Sequence, residues 1–349
     1  MIGPIAVAPL GPAQPSLAVK SENEDVAHER SGSAESPPLG RLYDVDGRRL
    51  WLHRAGDGQP AVVVLAGAGM VGLDYLNVQE RAAKLTTSVL YDRSGTGWSD
   101  DAQPDRSAAA TTDELRSLLS VAAIPPPYVL VGHSLGGLFA RRYAQRFPGE
   151  VAGLVLLDPA HEDFSAYMPQ APTRRGARGW MMRVVSGLSG RALGAAVQIA
   201  PGIVQRVPVV KRYRELYRRL FTAAMGDWPT PLRDDLVQHH VSLEWLLTGM
   251  REAETAGRLY GETRAGGPTP DVPMIILCSM AIDDFRRAVS VGESEALVAE
   301  ELVAKRRLYD DLAATVPRGE VRAVDAGHLT IHFRHPEAVE RAIADVLGR

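Results

Sequence analysis

The chain has 349 residues, 45% apolar and 23% charged, and 39 Lys and Arg against 42 Asp and Glu leave a formal net charge of −3. This is an ordinary soluble-globular composition with room for one large domain or two modest ones, and its near-neutral balance carries no electrostatic footprint for nucleic acid. A single cysteine, Cys278, excludes a disulfide scaffold and a thiolate metal cluster, so the fold must stand on its core.

Residues 1–39 offer little to bury. Pro4, Pro9, Pro12 and Pro15 interrupt the apolar start, no Lys or Arg precedes Lys20, and the following stretch is rich in Glu, Ser and Pro. The segment is expected to be a disordered tail and makes a poor secretory signal, which points to a cytoplasmic protein with atypical export left open. From residue 41 the pattern changes. Arg41–Val45 and residues 48–54 flank Asp46-Gly47, a strong hairpin signal. Ala61–Leu65 is a continuous apolar run suited to a strand covered on both faces. Helical spacing follows over 73–85, a strand over Ser88–Tyr91, a helix over 111–122, a strand over 128–131, a helix over 135–147 and a strand over 153–157.

After Asp158 the alternation stops. Residues 163–268 read as helices broken by Pro and Gly, and alternation resumes with a strand at 273–279, a helix at 293–314, a strand at 321–324 and a helix at Pro336–Leu347. The order predicts an α/β fold, a mostly parallel sheet with helices on both faces, and a helical cap inserted between two of its strands. The core domain then comprises 40–162 and 269–349. Replacing the cap by a short linker is expected to leave a folded but less selective protein. The most apolar long window, 184–205, carries Arg191, four glycines and Pro201, and is read as a lid or buried helix in place of a membrane span.

The sharpest local signal is Gly132-His133-Ser134-Leu135-Gly136-Gly137, between the strand at 128–131 and the helix at 135–147. This is the G-x-S-x-G nucleophile elbow in the strand–turn–helix context it requires. The flanking glycines leave room for a strained turn that lifts the Ser134 hydroxyl over the sheet edge. A competing pattern, Gly67-x-Gly69-x-x-Gly72 with Asp92 twenty residues beyond, satisfies the dinucleotide fingerprint on its own. That reading leaves the elbow, the late histidine and the helical insertion without a role. No cofactor and no metal are expected.

With these motifs in place the chain resembles the α/β-hydrolase superfamily over residues 41–349. The resemblance rests on the Ser134 elbow, on Tyr91-Asp92-Arg93-Ser94-Gly95-Thr96-Gly97-Trp98-Ser99 after the fourth strand, and on Ala326-Gly327-His328 after the last. It implies an eight-stranded sheet, Ser134 as nucleophile and His328 as its base. His133, His161, the pair His239-His240, His332 and His335 are rival histidines. The acid has two positions open to it. Asp158 ends the sixth strand in Asp158-Pro159-Ala160-His161-Glu162-Asp163, similar to a bacterial subgroup with a D-x-x-H-x-D signature there. Asp283, with Asp284 beside it, follows the seventh strand, but lacks the usual glycine and is one residue further from Pro273 than the family spacing. The reading favours Asp158. Backbone N–H groups of Leu135 and Ala68 are the implied oxyanion donors; the loop of Ala68 has Ala66-Gly67 where many members have His-Gly.

The resemblance implies a serine hydrolase of the carboxylesterase or lipase kind, acting on a small hydrophobic ester through an acyl-enzyme. The alternatives are cofactor-free serine chemistry of the perhydrolase or C–C hydrolase type, and a non-catalytic ligand-binding protein. Epoxide hydrolases and dehalogenases need a carboxylate where this chain has Ser134. No nucleic-acid partner and no stable membrane insertion are expected, and the oligomeric state is not encoded legibly. In the cap, Trp180, Met181, Met182, Met225, Trp228 and Trp245 are candidates to line an apolar pocket, or else simply to pack the cap. Arg174, Arg175, Arg178 and Arg183 are candidates to snorkel beside a lid or merely to solvate it.

Overall fold

A computed structural model describes residues 37–101, 107–169, 208–289 and 294–348. The expected tail up to residue 36 lies outside the described residues, as do the window 184–205 and, within the cap, Arg174, Arg175, Arg178, Trp180, Met181, Met182 and Arg183.

Eight strands form one sheet: β1 (Arg41–Val45), β2 (Arg48–Ala55), β3 (Ala61–Leu65), β4 (Ser88–Tyr91), β5 (Tyr128–His133), β6 (Val151–Leu157), β7 (Met274–Ser279) and β8 (Gly319–Val324). Their spatial order is β1-β2-β4-β3-β5-β6-β7-β8. The first two pairings are antiparallel and the remaining five parallel. The β1–β2 turn takes Asp46 and Gly47 at φ +52° and +76°, the doubly left-handed geometry of a two-residue hairpin, and Asp44 Oδ1 accepts the Gly47 N–H at 3.0 Å.

Because side chains alternate along a strand, the continuous apolar run of β3 feeds two separate cores. Ala61, Val63 and Leu65 point into one with Leu115, Leu118, Leu138 and Leu308, contributed by α2 (Ala108–Val121), α3 (Leu135–Arg146) and the helix Glu295–Ala313. Val62 and Val64 point into the other with Val78, Ala82, Val339 and Ile343, contributed by α1 (Leu76–Ala82) and the last helix, Pro336–Leu347. Each fully buried Leu or Val contributes about 1.5–3 kcal/mol, so a strand covered on both faces is tightly fixed in register.

The remaining helices are α4 (Phe164–Tyr167), α5 (Pro208–Ala224), α6 (Thr230–His240), α7 (Leu243–Ala265), α8 (Asp284–Val289), α9 (Glu295–Ala313), α10 (Ile331–Arg334) and α11 (Pro336–Leu347). Residues 163–268 thus contain only helices among those described. Boundaries differ from the sequence pattern where a side chain competes for the backbone. The helix expected from residue 73 begins at Leu76, because Asp74 Oδ2 takes the Val71 N–H and the preceding residues Gly72–Tyr75 form a tight 3₁₀ turn. The helix expected from 111 begins three residues earlier, where the Ser107 hydroxyl accepts the Ala110 N–H.

Candidate active site

The end of β5 brings Ser134 to the carboxyl edge of the sheet in a conformation few residues tolerate, φ +50° and ψ −118°. Neighbouring backbone holds it there. Ser134 N–H donates to the Leu157 carbonyl at 3.0 Å, while the Ser134 carbonyl accepts from Gly137 and Ala160. A Cβ on Gly136 would stand 2.0 Å from the Leu65 carbonyl oxygen, and one on Gly132 2.6 Å from that of Gly136, so the flanking glycines are required by contact. Leu135 opens α3, and the N–H groups of a helix's first turn have no partner within the helix.

Asp158 leaves β6 at φ +43° and is 3% exposed. Its Oδ2 lies 2.7 Å from Nδ1 of His328, and Nε2 of the same ring lies 3.0 Å from Ser134 Oγ. The structure therefore brings Ser134, His328 and Asp158 into one hydrogen-bonded line. Asp158 Oδ1 also accepts the Ser279 N–H at 3.0 Å and lies 2.9 Å from Lys305 Nζ, which donates to the Ser279 carbonyl as well. Burial acts to raise the Asp158 pKa, but the hydrogen bond with His328 and the Lys305 charge outweigh it and hold the carboxyl well below the usual range.

The other candidate acid occupies a different place. Asp283 Oδ2 accepts the Leu329 N–H and its Oδ1 the Arg286 N–H, both at 2.8 Å, so it braces the loop that carries His328 and starts α8. Asp284 pairs with Arg287 and Arg334 at the surface. Neither makes a hydrogen bond to the His328 ring among the described residues.

Two of the rival histidines, His133 and His332, are buried against this line. Gly67 N–H donates to the Tyr75 hydroxyl, which therefore turns its own hydrogen to His133 Nδ1 at 2.6 Å; His133 Nε2–H then donates to the His328 carbonyl at 2.9 Å. Burial, with the nearby His328 charge, pushes His133 down to about 3, so it stays neutral. His332 stacks on Tyr75, and burial pushes it down too. His240 sits fully buried with Nε2 2.7 Å from Asp74 Oδ1. His239 stacks on Trp98, while His335 and His161 pair with Glu337 and, more distantly, Glu162.

The loop after β3 carries Ala68, which is exposed, while its neighbours are buried and fully engaged. Arg93 donates to the Ala66 carbonyl at 2.6 Å and to the Gly67 carbonyl at 3.0 Å. Glu252, from α7, accepts the Gly69 N–H at 2.8 Å and pairs with Arg93 at 2.8 Å, both side chains less than 8% exposed. Trp245 Nε1–H donates to the Gly69 carbonyl. Asp92 takes the Gly72 and Trp98 N–H groups, and burial raises its carboxyl to about 7. The N–H groups of all three glycines in the apparent dinucleotide fingerprint thus end on protein side chains, not in an open phosphate cradle. No group of three or more His, Cys, Asp or Glu is placed to hold a metal ion among the described residues.

Lys305, Glu252 and Trp245 had no local signature of such roles. Lys305 lies in a helix rich in Glu and Arg, and Glu252 is 159 residues from Arg93. Of the apolar side chains expected to line a pocket, Met225 is fully buried in the core shared with α1 and α11, and Trp228 packs on Phe333.

A model of the alpha/beta hydrolase family matches residues 62–342. The chain belongs to that family. Among characterised and uncharacterised relatives, it is 24% identical over 184 residues to the uncharacterized protein YbdG of Bacillus subtilis, covering 52% of this chain and 56% of that one. It is 31% identical over 186 residues to a human (lyso)-N-acylphosphatidylethanolamine lipase, 49% of each chain. The chain spans about half the length of these relatives. Among solved structures it is similar to the epoxide hydrolase CorEH, with TM-score 0.59, 17% identity and coverage of 89% and 98%. It is also similar to the esterase EaEST of Exiguobacterium antarcticum, with TM-score 0.55, 16% identity and coverage of 88% and 100%. At such identities these structures share the family fold and nothing more specific. No helix among the described residues is long and apolar enough to cross a membrane.

Proposed function

We propose that this family member is a serine hydrolase that cleaves a carboxylic ester, or a related acyl bond, of an apolar small molecule through an acyl-enzyme. One observation carries the reading: a single imidazole, His328, within hydrogen-bond reach of both Ser134 Oγ at 3.0 Å and the buried Asp158 carboxylate at 2.7 Å. A serine hydroxyl is a poor nucleophile until a base can take its proton, and that base works only if a third group fixes its tautomer. Asp158 accepts the Nδ1–H, which leaves the Nε2 lone pair facing Ser134.

In the proposed cycle Ser134 Oγ attacks the acyl carbon as its proton passes to His328 Nε2. The tetrahedral oxyanion is met by the N–H groups of Leu135 and Ala68, donors aimed where charge develops. His328 returns the proton to the departing alcohol, and water repeats the sequence to release the acid. Asp158 stays ionised throughout, stabilising the imidazolium electrostatically. The esterase and lipase among the similar proteins fit this reading, whereas epoxide opening on this fold needs a carboxylate where Ser134 stands. The apolar character of the substrate rests on the composition of the cap, read as residues 163–268.

The test is turnover of 4-nitrophenyl esters of increasing acyl length, with labelling by a fluorophosphonate. Ser134→Ala should lose labelling and at least about 1,000-fold in kcat with its circular dichroism unchanged. Activity within tenfold of the parent would overturn the proposal.

A further inference from the structure

The proposed oxyanion donor is one end of a peptide unit whose other end is gripped by charged side chains. The unit joining Gly67 to Ala68 is planar and trans, so the direction of the Gly67 carbonyl dictates the direction of the Ala68 N–H. Arg93 donates to that carbonyl at 3.0 Å and to the preceding one, Ala66, at 2.6 Å. Arg93 is buried and its guanidinium is held in turn by Glu252 Oε1, with contacts of 3.1 and 2.8 Å from Nε and one terminal nitrogen. Glu252 uses its second oxygen to accept the Gly69 N–H, immediately after Ala68, and Trp245 donates its Nε1–H to the Gly69 carbonyl. The two peptide units bordering Ala68 therefore end on Arg93 and Glu252, and the next unit ends on Trp245, so two of these three side chains come from α7.

We infer that Glu252 and Trp245 are positioning residues that orient the Ala68 N–H toward the oxyanion, making the cap helix part of the apparatus that stabilises the transition state. The inference rests on the serine-hydrolase reading above. Two physical arguments carry it. A donor contributes to catalysis only when it is held where charge will appear, and a glycine-flanked loop has no stiffness of its own to hold it there. Here the fixing hydrogen bonds come from outside the loop, from Arg93 and Glu252. Secondly, the Arg93–Glu252 pair is buried and multiply hydrogen-bonded, the circumstance in which an ion pair imposes geometry.

A positioning role in the transition state has a distinct kinetic signature. Substrate binding does not load the oxyanion donors, so their disorder should lower kcat and leave KM nearly unchanged. Glu252→Gln, which keeps an acceptor for Gly69 but removes the charge that anchors Arg93, should lower kcat on 4-nitrophenyl butyrate 10- to 100-fold with KM within threefold. Trp245→Phe, which keeps the ring and removes one N–H donor, should lower kcat by a smaller factor, about 3- to 20-fold. An alkyl trifluoromethyl ketone, which forms a tetrahedral adduct on Ser134, should lose affinity in each variant by the same factor as kcat/KM. Should Glu252→Gln fail to fold by circular dichroism, Trp245→Phe carries the test. A rise in KM with kcat unchanged in a folded variant would overturn the inference and reduce α7 to a specificity element. Failure of the serine-hydrolase reading itself would look different: wild type would neither turn over the ester nor form the ketone adduct.

Discussion

Lys305 Nζ lies 2.9 Å from the Asp158 carboxylate, whose other oxygen faces His328 Nδ1. The aspartate is thus shared between a half-buried ammonium, its side chain 11% exposed, and the imidazole that contacts Ser134. A carboxylate that serves two cations stabilises each less than it would alone, because the cations also repel one another. Ser279 shares the same arrangement, its N–H on Asp158 and its hydroxyl oxygen accepting from Lys305 at 2.8 Å.

The first prediction concerns pH dependence. In Lys305→Met the full charge of Asp158 becomes available to imidazolium, so the acid limb of the kcat/KM profile should move to higher pH. The His328 side chain is 42% exposed, so solvent screens part of the effect. Profiles of wild type and variant on one ester decide the matter; superimposable acid limbs would leave Lys305 a purely structural side chain.

The second separates two aspartates that braced the same loop in different ways. Asp158→Asn should lower kcat by about 10⁴ with little change in KM, since the amide favours the wrong imidazole tautomer. Asp283→Asn weakens the acceptor for the Leu329 and Arg286 N–H groups without touching the ring. It should cost about 1–3 kcal/mol of stability and leave kcat within tenfold. Kinetics and thermal unfolding of both variants under identical conditions check it, and a collapse of kcat in the Asp283 variant alone would reverse the assignment.

The third concerns stability against pH. Asp158 has a folded pKa below its unfolded value of about 3.9, so its contribution is present above that value and is lost as pH falls through the folded pKa. Glu162 behaves alike: burial opposes its ionisation, but its bidentate pair with Arg141 wins and lowers the pKa. Asp92 has the opposite sign. Burial raises it to about 7, so its contribution is present below its unfolded value and is lost as pH rises through 7. The melting temperature should therefore be highest near pH 4–5, falling below it as Asp158 and Glu162 lose their contribution and falling above it until the Asp92 contribution is gone near pH 7. Calorimetry from pH 3 to 9 tests this; a melting temperature still rising above pH 7.5 would contradict it.

Much of the scaffold was legible because its signals are local. The hairpin needs positive φ at two adjacent residues, which Asp46-Gly47 supplies, and buried parallel strands need the unbroken apolar runs seen at Ala61–Leu65. The elbow announces itself because close approach forbids side chains at Gly132 and Gly136. The acid was ambiguous for a physical reason: Asp158 and Asp283 follow the ends of adjacent parallel strands, β6 and β7, and composition cannot reveal where a carboxylate points. Glu252 and Lys305 were illegible for another reason. Each lies on a long helix among other charged residues, where periodicity marks a solvated face, and only tertiary packing brings Glu252 to Arg93 and Lys305 to Asp158. The short helices Asp284–Val289 and Ile331–Arg334 lack the length that makes periodicity readable.

The Arg93–Glu252 pair also bears on how such a protein can be re-engineered. Replacing residues 163–268 by a linker, a change that the sequence suggested would be tolerated, deletes Glu252 and leaves the Arg93 guanidinium in the main body without its counter-charge. Stranding one member of a buried ion pair costs about 3–5 kcal/mol, a large share of the stability of a typical domain. Helical caps from other proteins are therefore not freely interchangeable modules on this body. A graft must bring a carboxylate to the same point above Gly69, or be accompanied by an uncharged residue at position 93.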